Sequence, residues 1–472
     1  VGGVSDFCVV SKNVGQVLAT CRFLLNTGKK NGDTTMKLFV PVIFGVLAST
    51  SLAGIGFDSD GDCDVDLVDF GVFQFCFTGS GGPATPPCAA SFDGDGDGDV
   101  DLTDFGGFQL AFTGALTGQG LFFDDVLYPS KGVNPSAVAV SDLDGDGDND
   151  LVIGHDSNVV TVMLNNGDGT FVVQAPISTG HRSRTVVASD FDGDGDSDLA
   201  VGIFRASGSP VGPSVLVLLN NGDATFAEPN VYGNTSRVNF ISTGDLNDDD
   251  FDDLVLVYSD QHQISVLLNN GDGTFASDVF YGVSTGPDST AVGDLDGDRD
   301  LDIAVAIVTS DRLSILLNNG DGTFVEGQTL IGGDGPRDIA VGDFDADSDL
   351  DVVIPNRFSD DVSIFLNNGD GTFADHETYP IGEESSGIAV GDFDNDSDQD
   401  VAVTVQGNHF VGILLNGGDG TFADQDSYIA GVGPRAAAVG DFNGDGFDDL
   451  AVANTNSGDV SIFISRGGKC IP

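Results

Sequence analysis

From about residue 121 the chain alternates short apolar runs with polar, glycine-rich loops, and this alternation itself repeats. In the first unit an alternating apolar run, Ala137–Val140, leads into an Asp-rich loop, and a short strand follows at Leu151–Ile153. A turn then gives a third apolar run, Val160–Leu164, which ends in a sharp NNGDGTF segment. Asn-Gly and Asp-Gly suit turns that need positive φ, so this segment predicts a hairpin, with a fourth strand beginning at the Phe. The same order recurs at the end of the chain, where Ala436–Val439 precedes an Asp loop and Leu450–Val452 follows it. Each unit therefore predicts four antiparallel strands.

The period fixes the architecture. A nine-residue Asp loop begins at Asp142, Asp190, Asp245, Asp294, Asp343, Asp392 and Asp441, with spacings of 48, 55, 49, 49, 49 and 49. Four-stranded units repeated at nearly constant spacing describe the blades of a β-propeller. A nonapeptide β-roll, also rich in Asp and Gly, would repeat every nine residues and is excluded by the longer period. The last unit stops after Val460–Ile464 without a hairpin, whereas an extra segment, Gly120–Val140, precedes the first Asp loop. A fourth strand donated from that N-terminal side would close a ring of seven and remove its exposed edges. The expected fold is mainly all-β, a seven-bladed propeller over residues 121–472. The 55-residue spacing comes from an insertion, Arg205–Ser214, which is equally a candidate binding loop and a tolerated surface insertion.

The Asp loops carry the chemistry. Calcium takes six to eight hard oxygen ligands in a flexible cage. Positions 1, 3, 5 and 9 of the loops supply them: Asp142, Asp144, Asp146 and Asp150; Asp190, Asp192, Asp194 and Asp198; Asp245, Asn247, Asp249 and Asp253. The remaining sets are Asp294, Asp296, Asp298 and Asp302; Asp343, Asp345, Asp347 and Asp351; Asp392, Asp394, Asp396 and Asp400; and Asp441, Asn443, Asp445 and Asp449. Asn247 and Asn443 retain an oxygen at position 3. Position 7 would offer its backbone carbonyl, which fits its variation from Asp148 and Asp300 to Phe251 and Phe447. Position 2 is always apolar (Leu143, Phe191, Leu246, Leu295, Phe344, Phe393, Phe442), as a buried anchor requires. Gly147, Gly195 and Gly446 suit a bend at position 6, but Asp250, Arg299, Ser348 and Ser397 stand there in the other loops and predict strain and weaker binding. The bland alternative is a set of solvated acidic turns.

Two further acidic loops precede the repeats. Asp58, Asp60, Asp62, Asp64, Asp66 and Asp69 fall at positions 1, 3, 5, 7, 9 and 12 of an EF-hand-type loop. Asp93, Asp95, Asp97, Asp99, Asp101 and Asp104 repeat the pattern 35 residues later. Leu67, Phe70, Phe73 and Phe77, and then Leu102, Phe105, Phe108 and Phe112, follow at helical spacing. Cys63 replaces the usual Gly of the first loop, and Asp rather than Glu closes both. This twofold loop-and-helix pattern over 54–112 resembles a dockerin module, joined to the repeats by a linker over 113–120. Upstream, residues 36–53 (MKLFVPVIFGVLASTSLA) have the form of a secretory signal peptide, and residues 1–35 are then expected to be an over-extended reading frame outside the fold. Export permits disulfides among Cys63, Cys76, Cys88 and Cys470, with Cys76–Cys88 the preferred pair of three possible pairings.

Composition supports this picture. The chain has 75 acidic against 17 basic residues and a formal charge of −58, which disfavours compaction unless cations are bound. The same charge argues against nucleic acid and anionic membranes as partners. No segment beyond the signal-like run is long and apolar enough for membrane insertion. The five histidines (His155, His181, His262, His376, His409) form no metal or triad motif, so no catalytic residue is assigned.

The Asp loops and the LLNNGDGTF runs resemble the FG-GAP/VCBS repeats, the propeller type also found in integrin α subunits, over roughly residues 119–466. The resemblance implies Ca2+ in the blade loops, up to seven ions here with two more in the dockerin-like module. It also implies a secreted or cell-surface protein acting without catalysis in recognition, adhesion or scaffold attachment, with an extracellular protein or glycan ligand. The dockerin-like module implies a cohesin-like partner; its alternative is a structural cap. A lectin-like propeller is the main functional alternative. It is weakened by the absence of Trp and by only six Tyr. Lyase or dehydratase chemistry, found on some propellers of this repeat type, is the lesser alternative.

Overall fold

The computed structural model describes residues 7–13, 16–22 and 121–466, except 124, 206–211, 213, 234–236 and 424. The signal-like segment, the linker, both EF-hand-type loops, Cys63, Cys76, Cys88 and Cys470 lie outside the described residues. Within the stretch expected to lie outside the fold, β1 (Phe7–Asn13) and β2 (Gln16–Arg22) form a two-stranded sheet, bonded to no other strand among the described residues. Val9, Val10, Val17 and Leu18 supply its strand propensity, although such a hairpin alone is marginal in water.

The rest is antiparallel sheet, with no α-helix among the described residues. β3 (Val126–Pro129) stands apart in sequence and is taken up below. Next come β4 (Pro135–Ser141), β5 (Asp150–His155), β6 (Val159–Asn165), β7 (Phe171–Val173) and β8 (Ile177–Ser178), then β9 (Arg182–Ser189), β10 (Asp198–Phe204), β11 (Val215–Leu218) and β12 (Asn230–Tyr232). These form one nine-stranded sheet whose two halves meet only at the pair His155↔Ser183. Three four-stranded sheets follow. They are β13 (Phe240–Gly244) to β16 (Val279–Gly282) through β14 (Asp253–Tyr258) and β15 (Gln263–Leu267); β17 (Pro287–Gly293) to β20 (Phe324–Ile331) through β18 (Asp302–Ile307) and β19 (Arg312–Asn318); and β21 (Ala340–Gly342) to β24 (Glu377–Pro380) through β22 (Asp351–Asn356) and β23 (Asp361–Phe365). The next is β25 (Ser385–Gly391) to β28 (Asp426–Ile429) through β26 (Asp400–Val405) and β27 (Phe410–Leu414). The last comprises β29 (Pro434–Gly440), β30 (Asp449–Asn454), β31 (Asp459–Phe463) and, returning from the start of the repeats, β3. β3 pairs antiparallel with β31, Val126 opposite Ile462 and Pro129 opposite Asp459.

The second strand of each sheet is buried nearly throughout. These strands read as continuous Val, Ile, Leu and Ala because both faces are covered by neighbouring sheets. Ala304, Leu313 and Ile315 pack with Val352, Ile354 and Phe365 of the next sheet. Leu151, Ile153 and Met163 pack with Phe442, Ala451 and Val460, joining the first repeat to the last. Each of the larger side chains among them contributes about 1.5–3 kcal/mol on burial.

The hairpin Phe residues are core, as in the edge-to-face contact of Phe171 with Phe442 at 5.5 Å. A fourth strand starting at that Phe is found only for Phe171 and Phe324. Elsewhere the Phe makes an isolated bridge to the hairpin Asn, as Phe275 does with Asn269, and the outer strand begins some residues later. The Phe turns inward while the residues after it, such as 276–278, stay exposed or half-buried and do not continue the alternation.

Candidate cation-binding loops

Each Asp loop joins the first strand of a sheet to the second. The position-9 aspartate opens the second strand and is fully buried in all seven loops. One of its oxygens accepts the N–H of position 2: Asp150 from Leu143 at 3.0 Å, Asp302 from Leu295 at 3.0 Å, Asp449 from Phe442 at 2.9 Å. The other accepts the N–H of the hairpin residue after the third strand, from Asn165 to Asp150 at 2.7 Å and from Asn318 to Asp302 at 2.7 Å. Burial pushes Asp150, Asp198, Asp302, Asp351 and Asp449 up to about 6, against the N–H donors. Asp253 and Asp400 rise to about 7 for the same reason.

The position-1 carboxylate organises the loop's turn. In every loop it accepts the N–H of position 6, from Gly147 to Asp142 at 3.0 Å and from Arg299 to Asp294 at 3.0 Å. Position 6 has positive φ throughout, 94° at Gly147 but also 68° at Asp250, 81° at Arg299, 79° at Ser348 and 77° at Ser397. The strain expected at the non-glycine positions is therefore present in the backbone. A second left-handed residue sits at position 4, including Asp248 at 59° and Ala346 at 59°, and the sequence pattern did not single it out.

This turn gathers the carboxylates. Asp142, Asp144 and Asp146 each present an oxygen within 4.8 Å of the others, as do Asp190, Asp192 and Asp194, and Asp343, Asp345 and Asp347. In two loops the close set contains position 9: Asp294, Asp296 and Asp302, and Asp392, Asp394 and Asp400. Asn247 and Asn443 hold position 3 in the remaining loops. The Oδ1 atoms of Asp144, Asn247 and Asp345 are buried without a hydrogen-bond partner. Burial, with neighbouring loop carboxylates adding to it, raises Asp144, Asp192, Asp296 and Asp345 above the usual carboxylate range. All-oxygen donors, buried lone pairs and crowded negative charge fit a hard divalent cation, which would neutralise that charge and fill those lone pairs.

The loops are also joined to each other by residues read in the sequence only as turn formers. Nδ2 of Asn220 donates to the carbonyl of Leu143 in the preceding loop at 2.8 Å and to that of Ser197 in its own at 3.0 Å. Asn269 reaches Phe191, Asn318 reaches Leu246, Asn367 reaches Leu295 and Asn416 reaches Phe344 in the same way. Asn165 makes the corresponding bond to Phe442, at 2.8 Å. The last repeat has Ser465 in place of this Asn. The signal was the first Asn of NNGDGTF, whose turn role alone does not require burial.

The histidines are dispersed. His262 and His409 occupy equivalent exposed turns between second and third strands, with φ of 57° and 62°. His155 is buried, with Nε2 3.1 Å from Thr161 Oγ1, and burial lowers it to about 4. The exposed phenylalanines Phe123, Phe280 and Phe358 belong to different repeats.

The FG-GAP-like repeat model matches residues 142–201, 245–305, 304–354, 343–403 and 392–452, five copies that together span more than half of the chain. Among solved structures, BBS1N in complex with ARL6DN, soaked with lead, is 15% identical with a TM-score of 0.54, over 75% of this chain and all of that one. An Agrocybe aegerita lectin that recognises non-reducing terminal N-acetylglucosamine is 20% identical with a TM-score of 0.47, over 72% of this chain and 97% of that one. A catalytically inactive virginiamycin B lyase from Staphylococcus aureus with quinupristin is 12% identical with a TM-score of 0.49, over 73% and 99%. No curated protein matches the chain significantly in sequence. The repeated Asp loop, the four-stranded sheets and the matched segments agree: the chain belongs to the FG-GAP-like repeat family.

Proposed function

We propose that this chain is a secreted, closed seven-bladed propeller that holds Ca2+ in its Asp loops and binds an extracellular protein or glycan without catalysis. The carrying observation is the buried, unpartnered Oδ1 of Asp144, Asn247 and Asp345, each set among carboxylates within one turn. A solvated acidic turn would leave such atoms to water. Calcium at positions 1, 3, 5 and 9 would tie the end of each first strand to the start of the second, so metal binding and blade stability are coupled. The seven loops, with β3 completing the sheet of β31, support the closed ring. The signal-like segment supports export, and the paired EF-hand-type loops support two further calcium ions and attachment to a cohesin-like partner.

The test is thermal unfolding of the full chain with saturating calcium and with chelator. A large drop in melting temperature on chelation is expected, and an unchanged melt removes the calcium reading. A lectin-like reading has one observation in its favour, an open groove lined by Val231, Tyr232, Phe275 and Phe280, with Val231 and Phe280 exposed. Retention on a panel of immobilised glycans, lost in Phe280→Ser, would select it.

A further inference from the structure

The first strands of the repeats surround one axial cavity of about 380 Å³, the scale of a small-molecule site. One residue from each repeat reaches its wall at the same repeat position: Ser136, Arg184, Asn239, Asp288, Arg337, Ser386 and Arg435. Their placement has a backbone cause. Pairing of first with second strand skips Ser136, Arg184, Asp288 and Arg435, each the extra residue of a bulge. A bulge takes its residue out of the ladder and re-aims the side chain.

Three of these residues are arginines, in a chain with 17 basic residues against 75 acidic. Arg337 is compensated by Asp288, at 3.3 Å. Asp288 also accepts from Asn239 Nδ2 at 3.3 Å. Arg184 and Arg435 make no ion pair or side-chain hydrogen bond among the described residues. Arg184 stacks on Phe204, 4.6 Å from the ring centroid, where Arg182 and Arg237 also approach at 5.4 and 4.8 Å. Of the other nearby carboxylates, Asp156 acts on both arginines but is paired with Arg182, and Asp338 turns both oxygens to the backbone N–H groups of Ile339 and Ile388. Burial pushes Asp338 up to about 7.

We propose that the axial cavity is an anion site, in which Arg184 and Arg435 grip a small oxyanion, a sulfate, phosphate or carboxylate group carried by the protein's ligand. Planar guanidiniums bind such groups through paired N–H donors, and desolvation strengthens the contact. Burial, together with the charges of Arg184 and Arg337, lowers Arg435 to about 9, and Asp288 and Asp156 offset only part of this. The acidic loops do not cancel this field. Asp190 lies six residues along the strand from Arg184, about 20 Å for extended chain and beyond the ~8 Å screening length of physiological salt. None of the loop positions proposed as calcium ligands lines the cavity.

The probe is inorganic sulfate, titrated against the calcium-supplemented full chain at constant ionic strength with chloride as balance. The expected result is a rise of a few degrees in melting temperature that saturates in the low millimolar range. In Arg184→Gln/Arg435→Gln the saturable rise should vanish, while the sulfate-free melt stays at or above wild type because like charges have been removed. Asp288→Asn, which deletes a competing carboxylate, should bind sulfate more tightly. It keeps the question answerable if the double variant fails to fold. A non-saturating response in wild type, an undiminished response in the double variant, or unchanged or weaker binding in Asp288→Asn overturns the proposal. Loss of calcium sensitivity alone would leave the sulfate results intact and bear only on the Asp loops.

Discussion

Asn165 Nδ2 donates a 2.8 Å hydrogen bond to the carbonyl of Phe442, a residue 277 positions later in the chain. The same amide holds the Asn149 carbonyl of its own loop at 3.0 Å. Through one buried side chain the first Asp loop is thus fastened to the last.

Asn165→Ala should therefore cost more than a loop substitution of its kind. It removes the Asn149 carbonyl's donor, one of the two donors to the Phe442 carbonyl and the acceptor of Gly167 N–H, so a loss of about 1–3 kcal/mol is expected in denaturant unfolding. Asn318→Ala, which frees Leu246 and Leu301 in the same way, should cost a comparable amount. A loss below about 0.5 kcal/mol in both would show that these amides are replaceable by water.

Asp302→Asn tests the position-9 carboxylate separately from metal. Both Asp302 oxygens accept backbone N–H groups, from Leu295 and Asn318. An amide would turn its NH2 against one of them. Destabilisation of about 1–3 kcal/mol is expected even in chelator. If the variant matched wild type in chelator and differed only with calcium, position 9 would act solely as a ligand.

Gly132→Ala probes a close approach at the end of the strands away from the Asp loop. A Cβ at Gly132 would overlap the His155 ring, and Gly333 and Gly431 face Asn356 and Asn454 in the same way. His155 is fully buried and cannot retreat without breaking its contact with Thr161. The alanine should cost about 1–3 kcal/mol, the range for an overpacked core. Gly132→Ala combined with His155→Asn should recover part of it.

His155 also predicts a pH response. Its native value is lowered to about 4 from 6.5, so the unfolded chain binds its proton first. Its contribution is fully present above about pH 6.5 and is lost as pH falls toward 4, on the order of 3 kcal/mol in total. The difference in unfolding free energy between wild type and His155→Asn, followed over that window, isolates this contribution from the carboxylates. A pH-independent difference would mean that the ring takes up a proton in the folded state.

The strands were legible because the second strand of each repeat must be apolar along its length, as Leu151–Ile153 and Leu450–Val452 are. The inward apolar anchor at position 2 was equally legible, since Leu143, Phe191 and their counterparts satisfy one burial requirement repeatedly. The return of a strand from before the first Asp loop followed from counting elements at the two ends, and β3 against β31 is the result. The start of the outer strand was misplaced because the hairpin Phe serves the core, while local pairing decides where the ladder resumes.

What the sequence determined by itself was the repeat, its four strands and the acidic loop between the first two, because each copy restates the same local constraints. Tertiary structure alone decided which groups meet across repeats. The Asn staples depend on a carbonyl about 72 residues or more away, and no local pattern marks such a partner. The axial position reads Ser, Arg, Asn, Asp, Arg, Ser, Arg, so no periodicity reveals it. The bulges at Arg184 and Arg435, and the equivalent position of Arg337 in its repeat, bring the three near enough to feel one another's charge.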